Sequence, residues 1–173
     1  MTTHYTYIQA IGEGWPGVHC HAAGDGSDYV SIVWEGGDPL PAQAVLDAWM
    51  AQAEISSKQR EIQQERDRRK WGGIYIASAG HWFAADDCSR IQYMGMIVAG
   101  GGLPFGVMWR CLDGASVQMS TGLAAQIMQE IVARDVSIFS VCEQHKSQAA
   151  LAEHPALYNF LDNSPAWPQI YAE

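Results

Sequence analysis

The stretch VMWRCLDGASVQMS, residues 107–120, decides how the rest of the chain is read. Val107–Leu112 and Ala115–Met119 are short runs with strand-forming residues. Asp113-Gly114 between them is a strong hairpin pair, because such a turn needs a positive φ that Asp tolerates and Gly adopts freely. Ser120 then supplies a helix N-cap. Behind it Leu123, Ala124, Ile127, Met128, Ile131, Val132, Ile138, Phe139, Cys142, His145 and Ala149 return to one side at steps of three and four. The spacing predicts a helix to about Glu153, broken by His154-Pro155. At 1.5 Å per residue it is about 50 Å long, more than a small domain needs. A hairpin running directly into a long amphipathic helix points to an α+β fold.

Upstream the pattern repeats. Ile74–Ala77 and His81–Ala85 flank a Ser-Ala-Gly turn and predict another hairpin. Asp86 or Asp87 caps a following helix in which Ile91, Met94, Ile97 and Val98 share a face, and Gly100–Gly102 with Pro104 ends it. Pro41 suits the first position of a helix that runs to Lys70, with Val45, Leu46, Trp49, Met50 and Ala53 as its apolar face. Within residues 56–70 only Ile62 is clearly apolar, so this half reads as a spacer, stopped by Gly72-Gly73. Tyr5–Ala10, Gly17–His21 and Tyr29–Trp34 read as strands between glycine-rich turns at 12–17, 23–28 and 36–38. The tail from Leu157 to Glu173 reads as extended and docked through Tyr158, Phe160, Trp167 and Tyr171. The expected architecture is α+β: a small β-rich N-terminal unit (1–40), a long helical spacer (41–71), and antiparallel hairpins packed on helices (72–173).

With 48% hydrophobic residues among 173, the chain affords a packed core and is not of disordered composition. Its net charge of −9 repels phosphate backbones and argues against nucleic-acid binding. Six of the ten basic residues fall in 58–70 beside three acids, a local +3 that leaves −12 for the remainder. Without interleaved aromatics, that stripe reads as a solvated helix end favoured by the negative pole of the dipole. No run of 18 apolar residues predicts insertion into a membrane. MTTHYTYIQA lacks the basic and apolar regions of a secretion signal. Cys20, Cys88, Cys111 and Cys142, widely spaced, are therefore expected as reduced, buried thiols.

Little of the sequence spells chemistry. His19 and His21 share a strand face and could point at one ion, with His4 as a neighbour, but zinc needs three or four ligands and no second pair follows. Two histidines on an exposed strand face is the plainer reading. Cys20 or Cys88, His81 and Asp86 make a nucleophilic triad only on paper, with no nucleophile-elbow or cysteine-protease signature. Gly100–Gly102 and Gly12-x-Gly14 lack the context of a phosphate cradle. The chain is therefore expected to be non-enzymatic, with no catalytic residue, metal or cofactor. Its seven tryptophans and seven tyrosines suggest contact surfaces. The partner-contact candidates are Trp49, Ile62, Trp71, Trp167 and Tyr171. Ile62, lone on a polar helix, is expected to serve binding more than stability, so that Ile62→Asp would weaken partner binding or self-association first.

From about Arg66 onward the chain resembles a domain-of-unknown-function family found in tail-fibre and tail-assembly proteins of tailed bacteriophages. The likeness is carried by Arg68-Arg69 before Gly72-Gly73, by Gly80-His81-Trp82-Phe83, and by Asp87-x-Ser89-Arg90. It continues in Trp109 with Asp113-Gly114, in Val117-x-Met119, Phe139, Glu143-x-His145-Lys146 and Trp167-Pro168-x-x-Tyr171. Ile32-Val33-Trp34 and Asp38-Pro39-Leu40-Pro41, with Leu46 and Trp49, resemble the opening of other small tail accessory proteins. The resemblance implies no catalytic residues. It implies a protein of the virion tail, assembled in the host cytoplasm, that supports or attaches tail fibres at the tail tip by contact with a fibre or baseplate protein, with self-association as a further partner class. An assembly chaperone that leaves the finished virion is the alternative, and a tail-associated metal-dependent hydrolase the third reading.

Overall fold

The structure, a computed structural model, describes residues 6–14, 18–35 and 39–171. Among these, four α-helices appear: α1 (Tyr7–Gly14), α2 (Gln43–Trp71), α3 (Asp87–Ala99) and α4 (Thr121–Leu151). Three antiparallel two-stranded ladders pack on helices: β1 (Cys20–Ala22) with β2 (Ile32–Trp34), β3 (Ile74–Ile76) with β4 (His81–Phe83), and β5 (Met108–Arg110) with β6 (Ser116–Gln118). The fold is α+β, as the hairpin-into-helix pattern implies. The chain divides into two compact units, residues 1–61 with 146–159 and residues 62–145 with 160–173. The boundaries fall inside α2 and α4 instead of at 40/41 and 71/72, so the second half of α2 belongs to a packed unit and is no free spacer.

In the first unit Tyr7, Ile11, Ile32 and Leu46 form a core, flanked by Cys20, Tyr29, Trp34, Leu40 and Met50. The strand expected at Tyr5–Ala10 is, over its described part, the start of α1. A reciprocal cap explains the difference: the Thr6 N–H donates to Gln9 Oε1 (2.9 Å) and the Gln9 N–H to Thr6 Oγ1 (3.4 Å). That cap leaves Tyr7, Ala10 and Ile11 at helical spacing on the buried side. The Tyr7 hydroxyl donates to Asp47 on α2 at 2.5 Å, and this bond raises the tyrosine pKa. The run Tyr29–Trp34 is only half strand: Asp28 accepts from the Val30 N–H (3.0 Å) and starts a single 3₁₀ turn over Tyr29–Ser31. The strand expected at Gly17–His21 runs instead over Cys20–Ala22, and residues 15–17 and 36–38 of the expected turns lie outside the described residues. Helix α2 begins two residues after Pro41 and turns Leu46 and Ala53 inward, with Val45 exposed.

The second unit has its own core of Ile74, Ile76, Phe83, Ala85, Tyr93, Cys111, Met119, Ala124, Ile127 and Ile131. Both hairpins form where the turn chemistry puts them, with Gly80 (φ 72°) and Gly114 (φ 88°) in the left-handed region. The Leu112 N–H donates to the Trp82 carbonyl at 2.8 Å and joins one hairpin to the other. Ser120 caps α4 by accepting from the Leu123 N–H (3.1 Å). Along α4 the buried residues Ala124, Ile127, Ile131, Arg134, Ile138, Val141, Cys142, His145 and Ala149 recur mostly at steps of three and four, a seam that widens only where Val141 and Cys142 are both buried. This is narrower than the face expected from composition, and Val132 and Phe139 lie outside it.

Helix α3 is capped by Asp86, which accepts from the Ser89 N–H at 3.0 Å. It is rotated from the expected orientation. Ser89 and Tyr93 are buried with Met96 and Ile97 beside them, while Ile91, Met94 and Val98 face outward. Tyr93 drives this: its ring packs 4.8 Å from that of Trp109 and its hydroxyl donates to the Ala84 carbonyl. Two arginines close the end of α2. Arg134 Nη2 donates to the Arg69 and Lys70 carbonyls (3.0 Å each), and Arg90 Nη2 donates to the Lys70 carbonyl (3.2 Å). The Arg69 carbonyl also accepts from the Gly72 N–H at 3.2 Å, so the arginines complete the capping of this helix end and set positive charge on the dipole's negative end. Burial lowers the Arg134 pKa, with the neighbouring Asp135 carboxylate opposing that shift and Arg90 adding to it.

Candidate functional site

The outer face of the β3–β4 hairpin gathers aromatic rings, exposed Tyr75 and half-buried Trp82 among them. In this ladder Tyr75 stands opposite Trp82, and the alternation that buries Ile74, Ile76 and Phe83 turns both rings to the other side. Their centroids lie 5.5 Å apart at 51°. Tyr171 arrives from the tail to lie 5.9 Å from Trp82 at 59°. Tyr75 is 48% exposed, Tyr171 37%, and Trp71, at the end of α2, 50%.

Two glycines let the tail come this close. The Tyr171 N–H donates to the Gly72 carbonyl at 2.7 Å. A Cβ on Gly72 would collide with Cγ2 and Cβ of Ile170, and one on Gly73 (φ 83°) would meet Leu112 Cδ1 and the Phe83 carbonyl. The tail is also held further back. Trp167 stacks on His145 (5.3 Å, 25°) and donates from Nε1 to the Phe160 carbonyl, while Arg69 Nη1 donates to the Pro168 carbonyl.

A polar pair borders the rings. His81 Nδ1 and Asp113 Oδ2 are 3.0 Å apart, and the same carboxylate accepts from the Trp82 N–H at 3.4 Å. The Ala115 N–H and His81 hold the Asp113 carboxyl below the usual carboxylate range. His81 thus takes Asp113 as its partner and not Asp86, whose carboxylate is engaged as the α3 cap. Near the pair, Cys111 is buried and its thiol is pushed up by burial and by the Asp113 charge, opposite to what a nucleophile requires. The site can grip apolar and aromatic groups on its rings and accept hydrogen bonds at Asp113.

Of the residues expected to meet partners, Trp71 and Tyr171 are exposed, and Tyr171 belongs to this face. Trp49 is half-buried in the first unit. Ile62 and Trp167 are corrected. Ile62 is fully buried, seven residues before buried Arg69 on the inner seam of α2, so the polar residues around it hide a narrow apolar stripe. Trp167 is buried because it is spent on docking the tail. The expectation of buried cysteines holds for Cys111 and Cys142, whereas Cys88 is exposed in the first turn of α3 and Cys20 is half-buried. His21 lies 3.5 Å from Glu35, and among the described residues no three metal-binding side chains converge. Tyr75 and Trp82 were absent from the expected contact set. Their two-residue alternation against Ile74, Ile76 and Phe83 is the signal that finds them.

An α+β protein with helix-borne hairpins and one outward aromatic face is the class these features define. Residues 50–162, more than half of the chain, match the family described as Domain of unknown function (DUF4376), and the chain belongs to that family. The match begins within α2 ahead of Arg66 and ends at Asp162, short of the segment that carries Trp167 and Tyr171. No curated protein and no solved structure matches the chain.

Proposed function

We propose that this chain is a non-enzymatic accessory protein of a bacteriophage tail that holds a tail-fibre or baseplate subunit on the Tyr75–Trp82–Tyr171 face. The observation carrying this reading is that a half-buried Trp82 holds two solvent-exposed rings, Tyr75 and Tyr171, against its own. Tyr and Trp are the residues that most often anchor protein interfaces, and rings already ordered by neighbours lose little entropy on binding. The tail context comes from the resemblance carried by Gly80-His81-Trp82-Phe83, Asp113-Gly114 and Trp167-Pro168-x-x-Tyr171, two of which help build the face itself.

The test is co-expression with the neighbouring fibre gene product, followed by size-exclusion chromatography and mass spectrometry of purified virions. A complex lost on combining Tyr75→Ala with Tyr171→Ala, at unchanged circular dichroism, supports the reading, and a complex indifferent to both substitutions refutes it. Stoichiometric protein in virions identifies a tail component. Binding without incorporation identifies an assembly chaperone instead.

A further inference from the structure

We propose that the free edge of β3 takes up an extended segment of the protein partner as a third strand, paired through the backbone of Tyr75. This mode of grip rests on the Tyr75–Trp82–Tyr171 face being where that partner binds. Trp82, opposite Tyr75 in the ladder, spends its backbone on the far side. Its carbonyl accepts from the Leu112 N–H at 2.8 Å, and its N–H donates to Asp113 Oδ2 at 3.4 Å. Facing residues of an antiparallel pair either exchange both backbone bonds or turn both sets of groups away from each other. Tyr75 therefore points its N–H and C=O away from β4, toward the opposite edge. Among the described residues no hydrogen bond reaches either group. One edge of the ladder is met by the β5–β6 turn, and the other ends on an open donor and an open acceptor.

The chemistry of this edge selects an extended chain. Edges that stay unpaired are commonly guarded by a charge or a proline. The neighbouring ladder shows such a guard. There the Cys111 N–H donates to the Ala115 carbonyl, so Arg110, one residue earlier, turns its backbone outward and brings a charge to its edge. Around β3, residues 72–80 (GGIYIASAG) hold neither a charged residue nor a proline. A residue set opposite Tyr75 exchanges both bonds with it, and its side chain stands on Tyr75's side of the sheet. It lands beside a ring that is 48% exposed and already held by Trp82. Aromatic and β-branched side chains pair best at such a place. The occupant is therefore an extended, uncharged segment with an aromatic or β-branched residue facing Tyr75, gripped in the manner of β-strand addition.

Amide exchange followed by NMR, on the free chain and on its complex with the neighbouring fibre gene product, tests this. The Tyr75 amide is expected to exchange rapidly in the free chain and about a hundredfold or more slowly in the complex. Tyr75→Ala and Tyr75→Pro both lose the ring, and only the proline also loses the N–H. A strand accepts proline where its N–H faces outward. Tyr75→Pro is expected to bind about tenfold or more weakly than Tyr75→Ala, through the lost backbone bond. If the proline variant does not fold, the exchange rates decide alone. A Tyr75 amide protected in the free chain, an unchanged rate in the complex, or equal binding by the two folded variants overturns strand addition. A complex that needs Tyr75 and Tyr171 yet leaves the Tyr75 amide unprotected keeps the aromatic face and removes this mode of grip. No complex at all removes both.

Discussion

Arg90 on α3 and Asp135 on α4 form a two-pronged ion pair, Nη1 to Oδ2 at 2.6 Å and Nη2 to Oδ1 at 3.1 Å, while the same guanidinium donates to the carbonyls of Ala85 and Lys70. One side chain thus fastens the end of α2, the approach to α3, and the middle of α4. Both partners are mostly buried, so the pair is not a screened surface bridge. Arg90→Ala strands Asp135 and removes the donor to the Ala85 carbonyl, while Arg134 still caps Lys70. Loss of the pair around Asp135 is expected to cost about 2–3 kcal/mol in urea unfolding. Arg90→Lys should recover only part of this, because an ammonium cannot reproduce the fork.

Ile62 is the residue whose role changes most between sequence and structure. Fully buried on the inner seam of α2, it contributes to stability and offers a partner nothing. Ile62→Ala is expected to lower the unfolding free energy by about 2–5 kcal/mol, the range for truncating a buried aliphatic chain. Pull-down efficiency, normalised to folded protein, should stay constant. A variant of wild-type stability that lost binding would reverse that assignment.

What could be read in advance follows the range of the interactions concerned. Asp113-Gly114, the Ser120 cap and the Asp86 cap are decided within four residues, and each stands where local chemistry puts it. Helix α1 was hidden for a different reason. The same six residues carry both the alternation from Tyr5 to Ala10 and the Thr6-x-x-Gln9 cap, and the cap decides the local structure. The rotation of α3 was not legible, because Ile91, Met94 and Val98 are as apolar as Tyr93, Met96 and Ile97, and only the shape of the core around Trp109 chooses between them. The aromatic face was half legible. Tyr75 and Trp82 pair across a short turn, but Tyr171 joins them from nearly a hundred residues away, through two glycines whose role is to have no side chain.

His145 makes the tail's docking depend on pH. It is fully buried, Trp167 is stacked on it, and it donates from Nε2 to the Pro165 carbonyl at 2.9 Å. Burial lowers its pKa, and the hydrogen bond to Pro165 opposes that only in part. The unfolded chain therefore takes up the proton more readily than the folded one. This contribution to stability is complete above the unfolded value of about 6.5 and is lost as pH falls below it. The melting temperature should drop between about pH 8 and about pH 5.5, where few carboxylates have begun to titrate. His145→Gln should be less stable at the higher pH and show a flatter profile. An identical slope in that variant would assign the effect elsewhere.

Gly72 and Gly73 separate the two ways a glycine can matter. Gly73 has a φ of 83°, so Gly73→Ala carries a backbone cost of about 1–2 kcal/mol wherever its side chain goes. The nearest obstruction to its new methyl, Leu112 Cδ1, is the tip of an exposed side chain that can swing aside. At Gly72 the backbone tolerates a side chain, but the methyl would land on the branched Cβ of buried Ile170, which cannot yield without moving the tail. Gly72→Ala is therefore expected to release residues 168–171 while the second unit's core stays folded. Limited proteolysis should cut the tail faster, and the Trp82–Tyr171 contact should vanish from the near-ultraviolet circular dichroism. Partner binding should weaken as much as in Tyr171→Ala. Gly73→Ala should instead lower the unfolding midpoint and leave the tail protected, so a matching phenotype in both variants would show that strain, and not crowding by Ile170, governs this approach.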